Sequence, residues 1–154
     1  MIALLCLSSL FPFSFMLKHG NRKYLCTFVS MKTFVIAGCG RLAGLVSEAV
    51  VKGLLPDYEL VGVYSRTVAK AERIAGRMAE AGKSCAVCTT ADELLALKPD
   101  ILVETASPAA LREFAVPALK NGTSIVTLSI GALADDAFYR EVCETAKENG
   151  TRIY

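Results

Sequence analysis

The chain holds a single histidine, His19, and it lies outside the part of the sequence that reads as a folded domain. That domain therefore has no imidazole for acid–base work. Excess charge is also scarce: 17 Lys and Arg face 15 Asp and Glu, a net charge of +2. This excludes a strongly basic nucleic-acid binder and a polyacidic chain alike. The six cysteines show no dense, regular spacing, so a disulfide scaffold is excluded and a reducing, cytoplasmic setting is expected. The uncharged run MIALLCLSSLFPFSFM at residues 1–16 stops short of the ~20 residues a membrane-spanning helix needs. Pro12 and the serines at 8, 9 and 14 weaken it further. No membrane partner is expected.

What is present suits one domain of ordinary size. The 154 residues are 53% hydrophobic and 21% charged, enough apolar content to fold. The first thirty residues stand apart. They carry Lys18, Arg22 and Lys23 with no acid, so this +3, taken from the overall +2, leaves residues 31–154 at −1. As a secretory signal the segment lacks a basic n-region and a small-x-small cleavage site. A signal anchor stays open, but Met31 precedes a strand so closely that it reads as the start of the protein. Residues 1–30 are thus expected to be an extra apolar and basic segment, and residues 31–154 the domain.

From Met31 the chain alternates strand and helix. Lys32–Ala37, Glu59–Tyr64, Ser84–Cys88, Asp100–Glu104 and Thr123–Ser129 are short apolar runs that predict buried strands. Helices are expected over Arg41–Leu55, from a Thr67 cap to near Gly82, after the capping box Thr90-Ala-Asp-Glu93, from Ser107-Pro108 to Asn121-Gly122, and from an Asp135 cap to Asn149-Gly150. Pro117 should kink or divide the fourth helix. Thr151–Tyr154 looks like the opening of a sixth strand. Strands joined by helix-length crossovers imply an α/β doubly wound parallel sheet of the Rossmann type. The expected strand order is 3-2-1-4-5 with a fragment of strand 6.

Gly38-Cys39-Gly40-Arg41-Leu42-Ala43 fits G-x-G-x-x-[GA], directly after the first strand and opening the first helix. Gly38 allows the tight turn, Gly40 keeps the backbone open to a pyrophosphate, and Ala43 lets the helix pack on the strand. The helix N-terminus offers free N–H groups to phosphate. The second strand ends in Tyr64-Ser65-Arg66-Thr67, without the acid that binds ribose hydroxyls in NAD sites. The Ser65 and Thr67 hydroxyls and the Arg66 guanidinium suit a 2′-phosphate instead, so NADP is the favoured cofactor and NAD remains possible.

Other candidates carry less. Cys85-x-x-Cys88 resembles a redox or zinc pair, but strand residues three apart face opposite sides of the sheet, and no second pair completes a zinc site. No metal site is expected. Cys39 could be oxidised, yet nothing near it in sequence marks a catalytic thiol. Of Asp135 and Asp136, a helix cap explains one and solvent the other.

Val103-Glu104-Thr105-Ala106-Ser107-Pro108-Ala109 and Leu128-Ser129-Ile130-Gly131-Ala132-Leu133-Ala134-Asp135, with the Gly38-Cys39-Gly40 loop, resemble the N-terminal half of L-aspartate dehydrogenase. The resemblance covers essentially all of residues 31–154. It implies a two-domain, homo-oligomeric enzyme that oxidises L-aspartate to iminoaspartate while reducing NAD(P), a step able to feed pyridine-nucleotide synthesis. It further implies that Ala106-Ser107-Pro108 and Ser129-Ile130-Gly131-Ala132 approach the nicotinamide. The family's second domain, which carries its catalytic histidine and substrate pocket, has no counterpart in this sequence, so no catalytic residue is expected in the chain. Apolar surface near the last strand should then lie uncovered. Two other readings stay open: the nucleotide domain of a homoserine dehydrogenase or Gfo/Idh-type enzyme, and a free-standing NADP(H)-binding module without catalysis.

Overall fold

The structure, a computed structural model, describes residues 14–19, 22–27 and 31–154. They fall in two compact units, one within Met1–Ser30 and the other Met31–Tyr154. In the first, β1 (Ser14–His19) and β2 (Arg22–Thr27) pair antiparallel, Ser14 opposite Thr27 and His19 opposite Arg22. The sequence reading placed no strand there. Most of the apolar run considered as an anchor lies outside the described residues. Among the described residues no helix is long and apolar enough to cross a membrane.

The second unit follows the expected alternation. Its elements are β3 (Lys32–Ala37), α1 (Arg41–Val51), β4 (Tyr58–Tyr64), α2 (Val68–Glu80), β5 (Ala86–Cys88), α3 (Ala91–Ala96), β6 (Ile101–Glu104), α4 (Pro108–Lys120), β7 (Ser124–Thr127) and α5 (Asp136–Glu148). The five strands form one parallel sheet in the order β5-β4-β3-β6-β7, the doubly wound arrangement. Beyond β7, Ile153 bridges to Ile125 in parallel, and Tyr154 N–H donates to the Ile125 carbonyl at 2.9 Å. That is the start of the sixth strand.

Period-two alternation sorts the strands onto two faces. Phe34 and Ile36 of β3 join Ala43 and Val50 of α1 and Ala71, Ile74 and Met78 of α2 on one side. Val35 and Ala37 join Leu111, Phe114 and Ala118 of α4 and Phe138 and Val142 of α5 on the other. Both faces are covered, which is why β3 reads as a continuous apolar run rather than an alternating one. Cys88 packs on the α4 side while Cys85 packs on the α2 side, and both are free thiols. The two lie on opposed faces as expected, although the strand begins at Ala86 and Cys85 stands just before it.

Several boundaries differ from the sequence reading, each for a local reason. Helix α1 stops at Val51 rather than Leu55, because Gly53 turns left-handed (φ +69°) and Leu54 N–H returns to the Ala49 carbonyl. Helix α4 runs undivided through Pro117. The missing N–H would have met the Glu113 carbonyl; both residues are exposed, so water can serve that oxygen. Thr90 caps α3 by accepting from Glu93 N–H, but Glu93 reaches back to Thr89 N–H at 2.7 Å rather than to Thr90, so the capping box closes one residue early. The fifth strand is shorter than read at both ends, and Ile130–Ala134 forms a 3₁₀ turn.

Asp135 caps α5, accepting from Ala137 and Phe138 N–H, and also pairs with Arg112 of α4 at 3.1 Å. The Phe138 N–H first, then the Arg112 guanidinium and the Ala137 N–H, hold its carboxyl below the ordinary aspartate value of 3.8. Asp135 therefore adds stability that is complete above the unfolded-state value and is lost as pH falls through the lower folded-state value. Urea titrations of wild type and Asp135→Ala at stepped pH check this: the wild type is more stable near neutrality, and the gap closes as acid protonates Asp135.

Candidate functional site

The carboxyl ends of β3, β4 and β6 open onto one cleft of about 260 Å³. Its floor is the turn after β3. Gly38 N–H donates to the Tyr64 carbonyl at 2.8 Å, and the Gly38 carbonyl accepts from the Thr105 hydroxyl at 2.6 Å. Gly38 sits at φ +105°, and a Cβ there would lie 2.7 Å from Ala106 Cβ and 2.8 Å from Ala106 N. The glycine is thus demanded twice, by the backbone angle and by the loop after β6 pressed against it. Gly40 differs. Its φ is an ordinary −84°, and a Cβ there would meet nothing within 4 Å. Space lies open above it.

Gly40 is also the N-cap of α1, and among the described residues no side chain caps that helix. Thr67 stands at the N-cap of α2 without capping it either, whereas Thr90, Ser107 and Asp135 cap α3, α4 and α5 with their side chains. The first-turn N–H groups of α1 therefore keep their capacity to meet an anion.

Cys39 lines the cleft, but the residue is buried and its thiol donates to the Tyr64 carbonyl at 3.4 Å. Burial pushes this thiol up to about 11, so it is not a nucleophile near neutrality. Ala43 is fully buried beneath α1, while Arg41 and Leu42 are exposed in its first turn and do not line the cleft.

Ser65, Arg66 and Thr67 form the wall at the β4 end, with the Ser65 hydroxyl accepting from Thr67 N–H at 3.3 Å. Lys70 of α2 lines the same wall. The sequence reading missed it, although it lies one helical turn past Thr67. Among the described residues two cations and no carboxylate line this end; the cleft's one acid, Glu113, comes from α4.

Ala106 and Ser107 line the third side, and the Ser107 hydroxyl is engaged in capping Ala110 N–H. Pro108 opens α4 outside the lining, and Ser129, Gly131 and Ala132 lie beyond it on the loop after β7. That loop reaches the site through Glu104 at the end of β6, a residue of the Val103–Ala109 stretch that the sequence does not single out as part of the site. Glu104 is fully buried and accepts from Ala106 N–H (2.7 Å), Ser107 N–H (2.9 Å), Thr127 Oγ1 (2.7 Å) and Ser129 Oγ (3.0 Å). An acid closing the apolar run Ile-Leu-Val of a strand covered on both faces was the available signal.

Residues 38–154 match the family described as homoserine dehydrogenase, NAD binding domain. The chain belongs to that family. The NAD-binding domain so defined is also similar to curated L-aspartate dehydrogenases. One from Methanococcus maripaludis, strain C6, is 32% identical over 119 residues, covering 77% of this chain and 43% of that enzyme. L-aspartate dehydrogenase 1 of Bordetella pertussis is 36% identical over 119 residues, covering 77% and 42%. The chain thus spans less than half the length of these relatives. Among solved structures, aspartate dehydrogenase from Thermotoga maritima superposes with a TM-score of 0.56 at 21% identity, covering 80% of this chain and 44% of that one. The shared fold places the glycine turn of this NAD-binding domain at the carboxyl end of its first sheet strand, where ligands of open α/β sheets lie.

The Gly38 geometry gives a direct expectation. Gly38→Ala forces a non-glycine residue to positive φ, at about 1–3 kcal/mol, before the contact with Ala106 is counted. Denaturant unfolding should show at least that loss, while Gly40→Ala, which meets nothing, should leave stability within about 1 kcal/mol of wild type.

Proposed function

We propose that residues 31–154 are the cofactor-binding half of an L-aspartate dehydrogenase-like oxidoreductase that prefers NADP over NAD. The observation that carries the cofactor choice is the β4 wall: among the described residues Arg66 and Lys70 line it, and no carboxylate does. An acid there would take the ribose hydroxyls of NAD and repel a 2′-phosphate; a guanidinium and an ammonium attract one. The substrate assignment is supported by the relatives, which carry the name L-aspartate dehydrogenase.

In this reading the residues of the chain bind and orient. The N–H groups at the start of α1 take the pyrophosphate over the open space at Gly40. Arg66, Lys70 and the Ser65 and Thr67 hydroxyls take the adenosine end. The loops after β6 and β7, Ala106-Ser107-Pro108 and Ser129 to Ala132, face the nicotinamide, which when bound supplies the hydride acceptor. Hydride transfer also needs the substrate held at near-attack distance, and a nucleotide domain offers one wall of such a pocket. No residue of this chain is assigned a catalytic role, and these residues alone are expected to bind NADPH while turning over little aspartate.

Fluorescence titration of the full chain with NADPH and NADH tests the reading. Wild type should favour NADPH, and Arg66→Asp should cut that preference by about tenfold or more, the loss of a charge-assisted contact. A preference for NADPH that survives the substitution would overturn the NADP assignment.

A further inference from the structure

The feature least explained by cofactor binding alone is the buried carboxylate of Glu104. A carboxylate in an apolar layer is unfavourable unless its oxygens are fully paired, and an apolar side chain of similar volume would fill the space at less cost. Here every partner donates, two backbone N–H groups and two hydroxyls, which is the pattern an acceptor-only carboxylate satisfies.

The partners come from two separate segments. Ala106 and Ser107 follow β6; Thr127 and Ser129 end and follow β7. The ladder between these strands closes at Glu104 opposite Thr127, and Leu128 N–H to the Glu104 carbonyl, at 3.1 Å, is its last backbone tie. Past that point the chains part, Ala106 towards the cleft and Ser129 towards the 3₁₀ turn. The side chain of Glu104 carries the connection on where the ladder stops. Thr127 extends it, since its hydroxyl accepts from Ser129 N–H at 3.0 Å while donating to Glu104. Arg112 holds the far end of the same loop through the Ala132 carbonyl and Asp135.

We propose that Glu104 is a positioning residue whose carboxylate locks the loop after β6 to the loop after β7, so that the two move as one unit at the nicotinamide end of the cleft. The last clause rests on the nucleotide reading above; the lock itself does not.

Two variants test it. Thr127→Val removes one hydroxyl on β7 and keeps the shape. If the loops are locked, amide exchange followed by NMR should quicken about tenfold at Ala106 and Ser107, on the other loop, as well as at Ser129. Exchange that quickens at Ser129 alone would overturn the lock. Glu104→Gln keeps the shape and removes the charge. It should raise the Kd for NADPH about tenfold while leaving that for adenosine 2′,5′-bisphosphate within twofold, because the second compound has no nicotinamide end. Equal weakening of both, or of neither, would overturn the positioning role. Should Glu104→Gln not fold, Thr127→Val carries the same pair of titrations. Coupled exchange in Thr127→Val, together with a wild type that binds neither compound, would uphold the lock and sink the nucleotide reading.

Discussion

The contact between Gly38 and Ala106 sets the rest of the site. Two central parallel strands, β3 and β6, end side by side, and the loops that leave them press together so closely that a Cβ on Gly38 would stand 2.7 Å from the Cβ of Ala106. The Thr105 hydroxyl and N–H tie the same two segments, reaching the carbonyls of Gly38 and Ala37. With this floor closed, α1 springs from its N-cap at Gly40, where an added Cβ would meet nothing within 4 Å. A bulkier residue at 38 would push the two loops apart and with them the wall that Ala106 and Ser107 provide.

Electrostatics around this floor are arranged by omission as much as by placement. Three helices of the domain satisfy their first N–H groups with their own side chains; α1 and α2, which begin beside the cleft, do not. The only side chains of positive charge on the cleft wall, among the described residues, are Arg66 and Lys70. Negative charge is kept either at Glu113 on α4 or inside the fold at Glu104, where four donors surround it. The result is a groove that suits an anionic ligand from the β3 turn to the β4 end. Its third side is organised by a carboxylate that never faces the groove.

The exposed apolar residues fall partly where the sequence reading placed them. Leu128, Ile130 and Tyr154 are exposed near β7 and the strand start that follows it. Leu42 and Leu45 on α1 and Leu54 after it are exposed as well, which periodicity did not show. Leu42, Leu45, Val46 and Ala49 have the three-and-four spacing of an inward stripe, but α1 meets the sheet through Ala43, Ser47 and Val50, one residue round the helix. Hydrophobic spacing identifies a helix without fixing which of two adjacent stripes meets the sheet.

The order of strands and helices, the turn at Gly38 to Gly40, the caps at Ser107 and Asp135 and the lack of an acid after Tyr64 were all legible in the sequence, because each depends on residues within one turn or one strand. The alternation of β and α elements then leaves few ways to wind the sheet. Tertiary structure decided the rest. Gly38 owes its place to Ala106, and Glu104 acquires its role from Thr127 and Ser129. The hydroxyl bond from Thr105 to Gly38 spans 67 positions of sequence, and those from Thr127 and Ser129 to Glu104 span 23 and 25. Local preference has no reach over such separations; the register of one strand beside another supplies it.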